Sequence, residues 1–474
     1  MPCKFSLNQV AEATGGEILS SMATDFVGVG TDSRQNLKGQ IFFALKGDSH
    51  DAHKFLEAAM ASGASCLVVH DRTYVAEPMK AKVSIVLVKD TLTALQNLAK
   101  SWRRQLKGTV FGITGSNGKS TTKDFTAAVL GAQFKVFASH GSFNNHWGVP
   151  ISILAASTDD DAIVLEMGMN HVGELEQLSK IAEPNVVICT TVGRAHVGNF
   201  KNGQQGVAEA KEEIYLANPK AVKIFNYDNE YTIKMFERVS KLQGTERTIV
   251  FSTFSAGAEV SLRANNMTLD GLHVIGQIGG VKGEAKVKVF GRHNVTNLMA
   301  AASMALTMKM EPEKIWKALE RCTGQWGRNQ LVPSASGAKV LFDGYNANPD
   351  SMTTLIKNML ELNASGGKKI FVIGEMLELG SETEKSHREI GELLSRTDVE
   401  VIWFIGASRF AFEFGLRHSG WSKTLYSSAK FDESIASTIS KSLTAKDLVF
   451  VKGSRGTKTE QVVKALCPDF QGKT

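Results

Sequence analysis

The stretch Phe111-Gly-Ile-Thr-Gly-Ser-Asn-Gly-Lys-Ser-Thr-Thr-Lys123 decides the fold of this chain, because it joins an apolar strand end, a glycine-rich loop and a helix start. Its glycines allow a tight turn in which backbone N–H groups face phosphate oxygens, and the Ser120 hydroxyl can bind Mg²⁺. An accidental glycine-rich turn is the alternative, but the preceding strand signal favours a loop for the phosphates of ATP. The predicted ATP-binding residues here are Gly115, Ser116, Asn117, Gly118, Lys119, Ser120 and Thr121.

The composition is that of an ordinary globular protein with several domains. A chain of 474 residues exceeds what one hydrophobic core usually serves, so two to three domains are expected and we favour three. Hydrophobic residues make up 43% and charged residues 22%, which argues against disorder. Lysine and arginine exceed the acidic residues by only six, 54 against 48, with no basic run. Small anionic substrates suit this balance, and nucleic-acid binding is not expected.

The five cysteines are odd in number, far apart and free of any CxxC pair, so neither a disulfide framework nor a zinc site is indicated. A reducing cytoplasm is therefore the predicted compartment. The N-terminus lacks a charged segment followed by an apolar run, and no stretch of about 18 uninterrupted apolar residues occurs. We expect no export, no membrane insertion and a monomer.

The order of apolar segments predicts an α/β protein with three domains. Short strands and a helical pattern over 53–62 indicate a small α/β module in residues 1–90. Strands then alternate with helices around the glycine loop, which predicts a mostly parallel sheet in a P-loop ATPase-like central domain, residues 91–327. The same rhythm returns in a Rossmann-like C-terminal domain, residues 328–474.

Two residues downstream of the loop are candidate ligands of a cation, and a third, Lys211, stands out by its charged neighbours. Glu166 ends the strand pattern of Ala162-Ile-Val-Leu-Glu166, and His196 follows the next strand, where α/β sheets place their sites. A solvated edge glutamate and a histidine without a role are the alternatives. Lys211 stands among acidic neighbours on a helix, and periodicity alone indicates a solvent-facing residue with ion pairs.

A set of motifs spread over the whole chain resembles the Mur ligases of peptidoglycan synthesis. The motifs are Thr114-Gly-Ser-Asn-Gly-Lys-Ser-Thr-Thr-Lys123, Phe143-Asn-Asn-His-Trp-Gly-Val-Pro150, Glu166-Met-Gly-Met169, Ala195-His196, Ala210-Lys-Glu-Glu-Ile214, Gly291-Arg-His-Asn-Val-Thr-Asn297 and Asp343-Gly-Tyr-Asn-Ala-Asn-Pro349. Within the family, the runs at 346–352, 374–380, 387–391 and 451–455 are most similar to the member that joins D-alanyl-D-alanine to UDP-N-acetylmuramoyl-tripeptide.

The resemblance implies an ATP-dependent amide ligase that works through an acyl phosphate. ATP would phosphorylate the terminal carboxylate of the tripeptide, and the amine of the dipeptide would then displace phosphate. Lys119, Glu166, His196 and Lys211 would be the catalytic residues. Mg²⁺ would be held by Ser120, Glu166, His196 and Lys211, with Lys211 carbamylated by CO₂ into an anionic ligand.

The resemblance also assigns the nucleotide and the UDP-linked substrate to particular side chains. Asn294 and Asn297, one helical turn apart, match adenine readers; Arg328 matches an arginine that reaches the γ-phosphate, and Asp343 a ribose-binding acid. Ser33 and Arg34 match a segment that contacts the uridine diphosphate. Asn144 and Asn145 would approach the muramoyl-peptide.

The sequence departs from the family pattern at three places. Thr191 stands where asparagine is usual, Asp343-Gly344 replaces paired aspartates, and the segment after Arg455 lacks a common methionine. These departures remove none of the ligands named above. A sister ligase that adds a single amino acid, a folylpolyglutamate synthase, and a P-loop kinase or regulatory ATPase are the rival functions. A third tripeptide residue of diaminopimelate or of lysine fits the motifs equally.

Overall fold

The computed structural model describes residues 3–47, 50–255, 257–364 and 366–472. Its N-terminal part pairs β1 with β3 and arranges a second sheet in the order β2-β7-β6-β5-β4, in which only β2 runs antiparallel to its neighbour. The elements are β1 Lys4–Ser6, α1 Leu7–Thr14, β2 Glu17–Ser20, β3 Asp25–Val27, β4 Val29–Gly30, β5 Ile41–Phe43, α2 Leu56–Ala61, β6 Cys66–Val69, α3 Glu77–Lys80, β7 Ser84–Leu87 and α4 Thr91–Arg103.

The helix predicted over 53–62 is divided in the structure. A 3₁₀ turn covers Ala52–Phe55, and α2 begins only at Leu56. The Asp51 side chain accepts a hydrogen bond from the backbone N–H of His53, which caps the turn. Asp and Asn side chains commonly start short turns in this way, so the local cap sets where the helical region begins.

The central part contains a sheet with the strand order β16-β15-β14-β13-β12-β11-β8-β10-β9. Strands β8 to β13 are parallel throughout, and β14, β15 and β16 form an antiparallel extension. The elements are β8 Thr109–Thr114, α5 Lys119–Leu130, β9 Val136–Ala138, α6 Gly148–Ala155, β10 Ala162–Glu166, α7 Glu174–Ala182, β11 Val186–Cys189, α8 Gly203–Leu216, β12 Val222–Asn226, α9 Glu230–Gln243, β13 Thr248–Phe251, β14 Val260–Thr268, β15 Gly271–Ile278, β16 Val281–Val287, α10 Asn294–Thr307 and α11 Pro312–Leu319.

Helices cover both faces of this sheet, which explains why β10 and β11 consist of buried residues only. Alternate residues of β8 point to opposite faces. Phe111 and Ile113 share a core cluster with α5 and α10, whereas Val110 belongs to the cluster of α4, α6, α7 and α8. The predicted mostly parallel central sheet is thus confirmed.

The C-terminal part forms a fourth sheet in the order β17-β18-β22-β19-β20-β21, parallel except for β17. The elements are β17 Gln330–Pro333, β18 Lys339–Asp343, α12 Pro349–Leu360, β19 Lys369–Gly374, α13 Thr383–Ser395, β20 Val401–Ile405, α14 Arg409–His418, β21 Thr424–Ser428, α15 Glu433–Ser442, β22 Leu448–Lys452 and α16 Glu460–Leu466. The start of α12 is fixed by a capping box between Asn348 and Ser351, with Pro349 as its first residue.

The three principal sheets fall within the ranges expected from the sequence. They span Glu17–Leu87, Thr109–Val287 and Gln330–Lys452, and the boundaries at 90/91 and 327/328 stay a prediction. Within the part of the chain that the structure describes, every helix is too short or too polar to cross a membrane.

Candidate active site

A cleft of about 1300 Å³ lies between the central and C-terminal sheets. The carboxyl ends of β8 and β10 open into it, and Asp343 and Lys452, at the carboxyl ends of β18 and β22, also line it. Parallel α/β sheets bind ligands at this edge. The cleft therefore brings two such edges together around one volume.

The glycine loop, residues 115–118, connects β8 to α5 and has no space for side chains at its glycines. Gly115 has a φ of +146°, and a Cβ there would lie 2.0 Å from Oγ1 of Thr190. Gly118 has a φ of +82°, and a Cβ would lie 2.4 Å from Oδ1 of Asn297. The backbone conformation and the close neighbours both require glycine. The N–H groups of Ser116 and Asn117 donate to the carbonyl and hydroxyl oxygens of Thr191, and the N-terminus of α5 that follows is suited to an anion.

Lys119 begins α5 and folds back over the loop. Its Nζ donates a hydrogen bond of 2.8 Å to the carbonyl oxygen of Gly115. Burial lowers the pKa of Lys119 and the charge of Arg328 lowers it further, while Glu166 opposes both effects. The ammonium group is thus held at the phosphate-facing end of the helix in surroundings with few counter-ions, where an added anion would be stabilised.

Ser120 and Glu166 form a hydrogen bond with each other. Each also bonds to a residue from another part of the chain, Ser120 to Arg328 and Glu166 to Asn144. Ser120 Oγ donates to Oε2 of Glu166 at 2.5 Å, and Nη2 of Arg328 donates to Ser120 Oγ at 2.8 Å. The other carboxylate oxygen, Oε1, accepts a hydrogen bond of 2.7 Å from Nδ2 of Asn144. Glu166 is buried at the end of β10, as the sequence predicted.

His196 lines the same cleft with an unsatisfied ring nitrogen. The backbone of His196 is left-handed, with a φ of +62°. Its buried Nδ1 makes no hydrogen bond; Oε2 of Glu378 lies 3.1 Å away but outside hydrogen-bonding alignment. Burial lowers the pKa of His196 to about 4, helped by the positive charges of Lys119 and Lys211. The ring is therefore neutral at pH 7 and keeps an available lone pair.

Lys211 is buried on α8, which corrects the solvent-facing interpretation based on periodicity. Its side chain is only 1% exposed. Burial lowers the pKa of Lys211 to about 7, and the charge of Lys119 adds to the effect. The acidic neighbours of Lys211 in the sequence have other partners: Glu212 forms an ion pair with Arg238, and Glu213 accepts a hydrogen bond from the backbone of Gly173. Within the described ranges Lys211 has no ion pair.

Asn294 and Asn297 occupy one face of the first turn of α10, and both are buried beside the glycine loop. Nδ2 of Asn297 donates to Oδ1 of Asn294 at 2.9 Å, and Oδ1 of Asn297 accepts from Oγ1 of Thr122 at 3.1 Å. Nδ2 of Asn294 donates to the carbonyl of Phe290. These bonds fix both amides at the edge of the cleft.

Arg328 and Asp343 enter the cleft from the C-terminal side. The guanidinium carbon of Arg328 lies 4.0 Å from the ring centroid of Tyr345, a cation–π contact that orients it toward Ser120. Nζ of Lys452 lies 2.5 Å from Oδ2 of Asp343, and Oδ1 of Asp343 accepts from the backbone of Asn329. Arg328 thus brings a positive charge from the C-terminal part to Ser120, next to the glycine loop.

Three of the predicted substrate residues lie outside this cleft. Ser33 and Arg34 are in the N-terminal part, where Arg34 makes a two-point contact with Asp32 and its side chain is 88% exposed. Asn145 precedes α6, and its Oδ1 accepts a hydrogen bond of 2.9 Å from the backbone N–H of Gly148, the first residue of that helix. Asn144 alone among the predicted substrate residues lines the cleft.

Two connections between the central and C-terminal parts were not predicted. Nδ2 of Asn348 donates to Oδ1 of Asn117 in the glycine loop at 2.8 Å. Arg194, two residues before His196, binds Oδ1 of Asp350 at 3.1 Å and Oε2 of Glu389 at 2.9 Å. The motif of Asn348 and Asp350 was visible in the sequence, but its contacts depend on how the sheets face each other.

The comparisons with known proteins agree with this geometry. Family models match residues 25–103 (Mur ligase family, catalytic domain), 113–305 (Mur ligase middle domain) and 327–455 (Mur ligase, glutamate ligase domain). The chain is 33% identical over 467 residues to the UDP-N-acetylmuramoyl-tripeptide–D-alanyl-D-alanine ligase of Bacillus subtilis (strain 168), covering 98% of both chains. The chain belongs to the Mur ligase family.

Solved structures extend the similarity of this Mur ligase to the whole chain. A crystal structure of MurF from Acinetobacter baumannii superimposes with a TM-score of 0.86 at 29% identity, covering 98% of each chain. The MurF ligase from Thermotoga maritima in complex with ADP gives a TM-score of 0.76 at 25% identity, covering 92% of this chain and 96% of that one. The three-domain α/β fold expected from the sequence is confirmed.

The Arg194 connection should have a modest effect on turnover. We expect Arg194→Ala to lower kcat/KM for ATP about threefold to fivefold, because its ion pairs are partly exposed and each is worth up to about 1 kcal/mol. Steady-state kinetics would measure this change. Arg388→Ala, which removes an exposed pair with Glu392 within α13 and a cation–π contact with Phe414 on α14, is the matched control and should leave kcat/KM for ATP unchanged. Equal rates for both variants would show that the connection has no role in turnover.

Proposed function

We propose that this Mur ligase joins D-alanyl-D-alanine to UDP-N-acetylmuramoyl-tripeptide with the hydrolysis of ATP to ADP and phosphate, giving the UDP-muramoyl-pentapeptide of peptidoglycan synthesis. Full-length similarity to ligases with that name supports the substrates. One observation supports the reaction class: a buried lysine without an ion pair in the described residues lies near the glycine-loop lysine and a neutral histidine. A P-loop kinase or switch ATPase has no use for such a group.

The nucleotide is proposed to bind along the cleft, from the glycine loop to the C-terminal sheet. Lys119 and the backbone of residues 115–118, followed by Ser120 and Thr121, would hold the β- and γ-phosphates. Asn294 and Asn297 can each donate to and accept from the edge of adenine. Asp343 would bind ribose hydroxyls, and Arg328, which already reaches Ser120, would neutralise the γ-phosphate.

The residues around Ser120 fit Mg²⁺ as the cofactor. A hard cation prefers oxygen ligands and usually binds few protein groups alongside phosphate oxygens and water. The described residues contain no group of three or more His, Cys, Asp and Glu side chains suited to a metal. Ser120 and Glu166 would supply oxygens, and the unpartnered Nδ1 of His196 would complete the set. When bound, Mg²⁺ supplies charge neutralisation between ATP and the carboxylate.

Lys211 is proposed to act as a carbamate. Its neutral amine attacks CO₂, the new N–C bond forms, and one proton is released to solvent. A pKa near 7 leaves a large share of Lys211 neutral at physiological pH, which this reaction requires. The product replaces a cation that would repel a metal with an anion that would bind it. The nearby charge of Lys119, which lowers the pKa of Lys211 and stabilises an anion there, favours the conversion.

Catalysis on this proposal is positioning and charge stabilisation, without a protein nucleophile. A carboxylate oxygen of the tripeptide attacks the γ-phosphorus, and the bond to the ADP oxygen breaks. The dipeptide amine then attacks the acyl carbon, loses its proton, and phosphate leaves as the amide forms. Lys119 and Arg328 hold the transferred phosphoryl group from two sides, because one lies on the central part and the other on the C-terminal part.

The UDP end of the substrate is assigned to Ser33 and Arg34 at a distance from the chemistry. An extended substrate would run from the N-terminal part toward the cleft, passing Asn145 and Asn144 on the segment between β9 and α6, of which Asn144 lines the cleft. Binding would replace the contact of Arg34 with Asp32 by contacts with phosphate. We also propose that the protein is located in the cytoplasm, because the described cysteines are free and buried. A monomeric state is part of the same proposal.

Product formation tests the function directly. The purified protein with ATP, UDP-muramoyl tripeptide and D-alanyl-D-alanine should release phosphate only when both co-substrates are present, and mass spectrometry should find the pentapeptide. Equal phosphate release without the dipeptide would favour a regulatory ATPase. Product from alanine alone would identify a sister ligase. Parallel assays with tripeptides ending in diaminopimelate or lysine would define the third residue.

A further inference from the structure

His293 contacts two segments that flank the cleft, and the site described above does not use it. It precedes Asn294 at the start of α10 and lines the cleft. Nδ1 of His293 lies 3.1 Å from Nδ2 of Asn358 on α12, and Nε2 lies 3.3 Å from Nδ2 of Asn329. The ring of His293, in the central part, therefore contacts two elements of the C-terminal part. They are the segment before β17, which contains Asn329, and the helix α12.

The partners of Asn358 determine which ring nitrogen carries the proton. Oδ1 of Asn358 accepts from the backbone of Arg292 at 3.0 Å, and Nδ2 also donates to the carbonyl of Thr354 at 2.8 Å. The amide orientation is thus fixed, and its Nδ2 faces the ring as a donor. Nδ1 of His293 must be the acceptor. A neutral imidazole then carries its proton on Nε2, and burial, which lowers the pKa of His293 to about 4, keeps the ring neutral.

Asn329 completes the arrangement from the other side. Its Oδ1 is buried and has no hydrogen-bond partner as placed. An N–H on Nε2 needs an acceptor, and the amide oxygen of Asn329 becomes that acceptor when the amide turns by 180° about its last side-chain bond. Both the unsatisfied oxygen and the ring proton then have partners. Asn329 also donates its backbone N–H to Oδ1 of Asp343 at 3.3 Å, and it follows Arg328 directly.

We propose that His293, as the Nε2–H tautomer, is a positioning residue that aligns the two ends of the nucleotide site by accepting from Asn358 and donating to Asn329. The inference rests on the proposed function for the roles of its neighbours. Asn294, beside His293, is assigned to adenine; Arg328, beside Asn329, is assigned to the γ-phosphate. A shift of the C-terminal part against α10 would break both hydrogen bonds at once.

The surroundings leave the ring one position. A Cβ on Gly291, which has a φ of +99°, would lie 2.4 Å from Cε1 of His293, so glycine at this position makes space for the ring. Asn329 has a φ of +53°, and its conformation is one that glycine adopts without strain. Asn329→Gly therefore removes the amide while preserving the backbone, and it is the sharpest probe of the contact.

Nucleotide binding and kinetics test the coupling. We expect Asn329→Gly to weaken ADP binding, measured by calorimetry, about fivefold to tenfold, the effect of one lost hydrogen bond. KM for ATP should rise, and KM for D-alanyl-D-alanine should stay within about twofold, a split that general destabilisation would not produce. Lys309→Gly, at an exposed residue with a φ of +56° outside the cleft, is the matched control and should leave both values unchanged.

A double-mutant cycle and the ring tautomer separate this role from a purely structural one. His293→Leu combined with Asn329→Gly should bind ADP about as weakly as His293→Leu alone, because His293→Leu already removes the hydrogen bond to Asn329. Long-range ¹H–¹⁵N spectra of histidine-labelled wild type at pH 7.5 should show Nε2–H for the signal that His293→Leu removes. An Nδ1–H tautomer, additive losses, or unchanged ADP binding in Asn329→Gly would each overturn the proposal.

The ADP-binding and tautomer measurements, unlike the KM values, are independent of the ligase reaction. ADP binding and the tautomer are read without tripeptide or dipeptide, so a wild type that forms no pentapeptide would refute the proposed function and leave the His293 test intact. The tautomer is measured on unmodified protein, so it also remains readable if His293→Gln has to replace a poorly folded His293→Leu for the assignment.

Discussion

Lys211→Ala is expected to lower kcat on the order of 10³-fold, the largest effect of the substitutions proposed for this protein. The buried side chain is the proposed source of a further anionic ligand in the surroundings of Lys119 and His196. Added formate or acetate should restore part of the rate, because a short carboxylate can occupy the space of the carbamate. The measurement is pentapeptide formation with and without the added acid.

A second buried lysine provides the control for this result. Lys223 on β12 is also buried, but its Nζ donates to the carbonyls of Pro219 and Ala221 away from the cleft. Lys223→Ala should therefore change thermal stability without changing turnover or responding to carboxylates. Wild-type turnover in Lys211→Ala would reject the carbamate, and rescue of Lys223→Ala would show that the carboxylates act elsewhere.

The dependence on pH and CO₂ follows from the same group. Only the neutral amine reacts with CO₂, and the pKa of Lys211 is lowered to about 7. As the pH falls from about 8 to about 6, the neutral fraction decreases, so activity in CO₂-depleted buffer should fall and bicarbonate should restore it most clearly near pH 7. A rate that does not depend on CO₂ across this pH range would contradict the proposed modification.

Gly115→Ala is expected to reduce kcat/KM for ATP by about 100-fold or more. The added Cβ would lie 2.0 Å from Oγ1 of Thr190 at a φ of +146°, so the loop or β11 must move. Overpacking of this kind costs about 1–3 kcal/mol, and displacement of the N–H groups from the phosphates adds to the loss of transition-state stabilisation. ADP calorimetry and ATP kinetics would measure both parts of the change.

Gly15→Ala is the control for Gly115→Ala. It separates the effect of backbone strain from the effect of losing the phosphate-binding loop. Gly15 has a φ of +64°, an added Cβ would meet no neighbouring atom within 4 Å, and the residue ends α1 in the N-terminal part. Its replacement should cost about 1–2 kcal/mol of stability through φ strain and leave ATP kinetics unchanged. If Gly115→Ala bound ADP as wild type does, the glycine loop would not be the phosphate site.

The sequence was sufficient for features that depend on near neighbours in the chain. The strand, loop and helix around Gly115, the strand ending at Glu166, and the paired amides of Asn294 and Asn297 follow from local periodicity and from backbone requirements. Family motifs then connected these pieces to one chemistry. They also selected Lys211, which its charged neighbours alone would have placed in solvent.

Tertiary structure decided the burial of Lys211, the contacts of Arg194 and Asn348 across the cleft, and the two partners of His293. These depend on where α8 packs against the sheet and on how the central and C-terminal parts face each other. Residues far apart in the chain, such as His293 and Asn358, meet only after the domains have packed. Local periodicity cannot predict how the domains pack, because the free energy of that packing comes from burial and hydrogen bonds between distant segments.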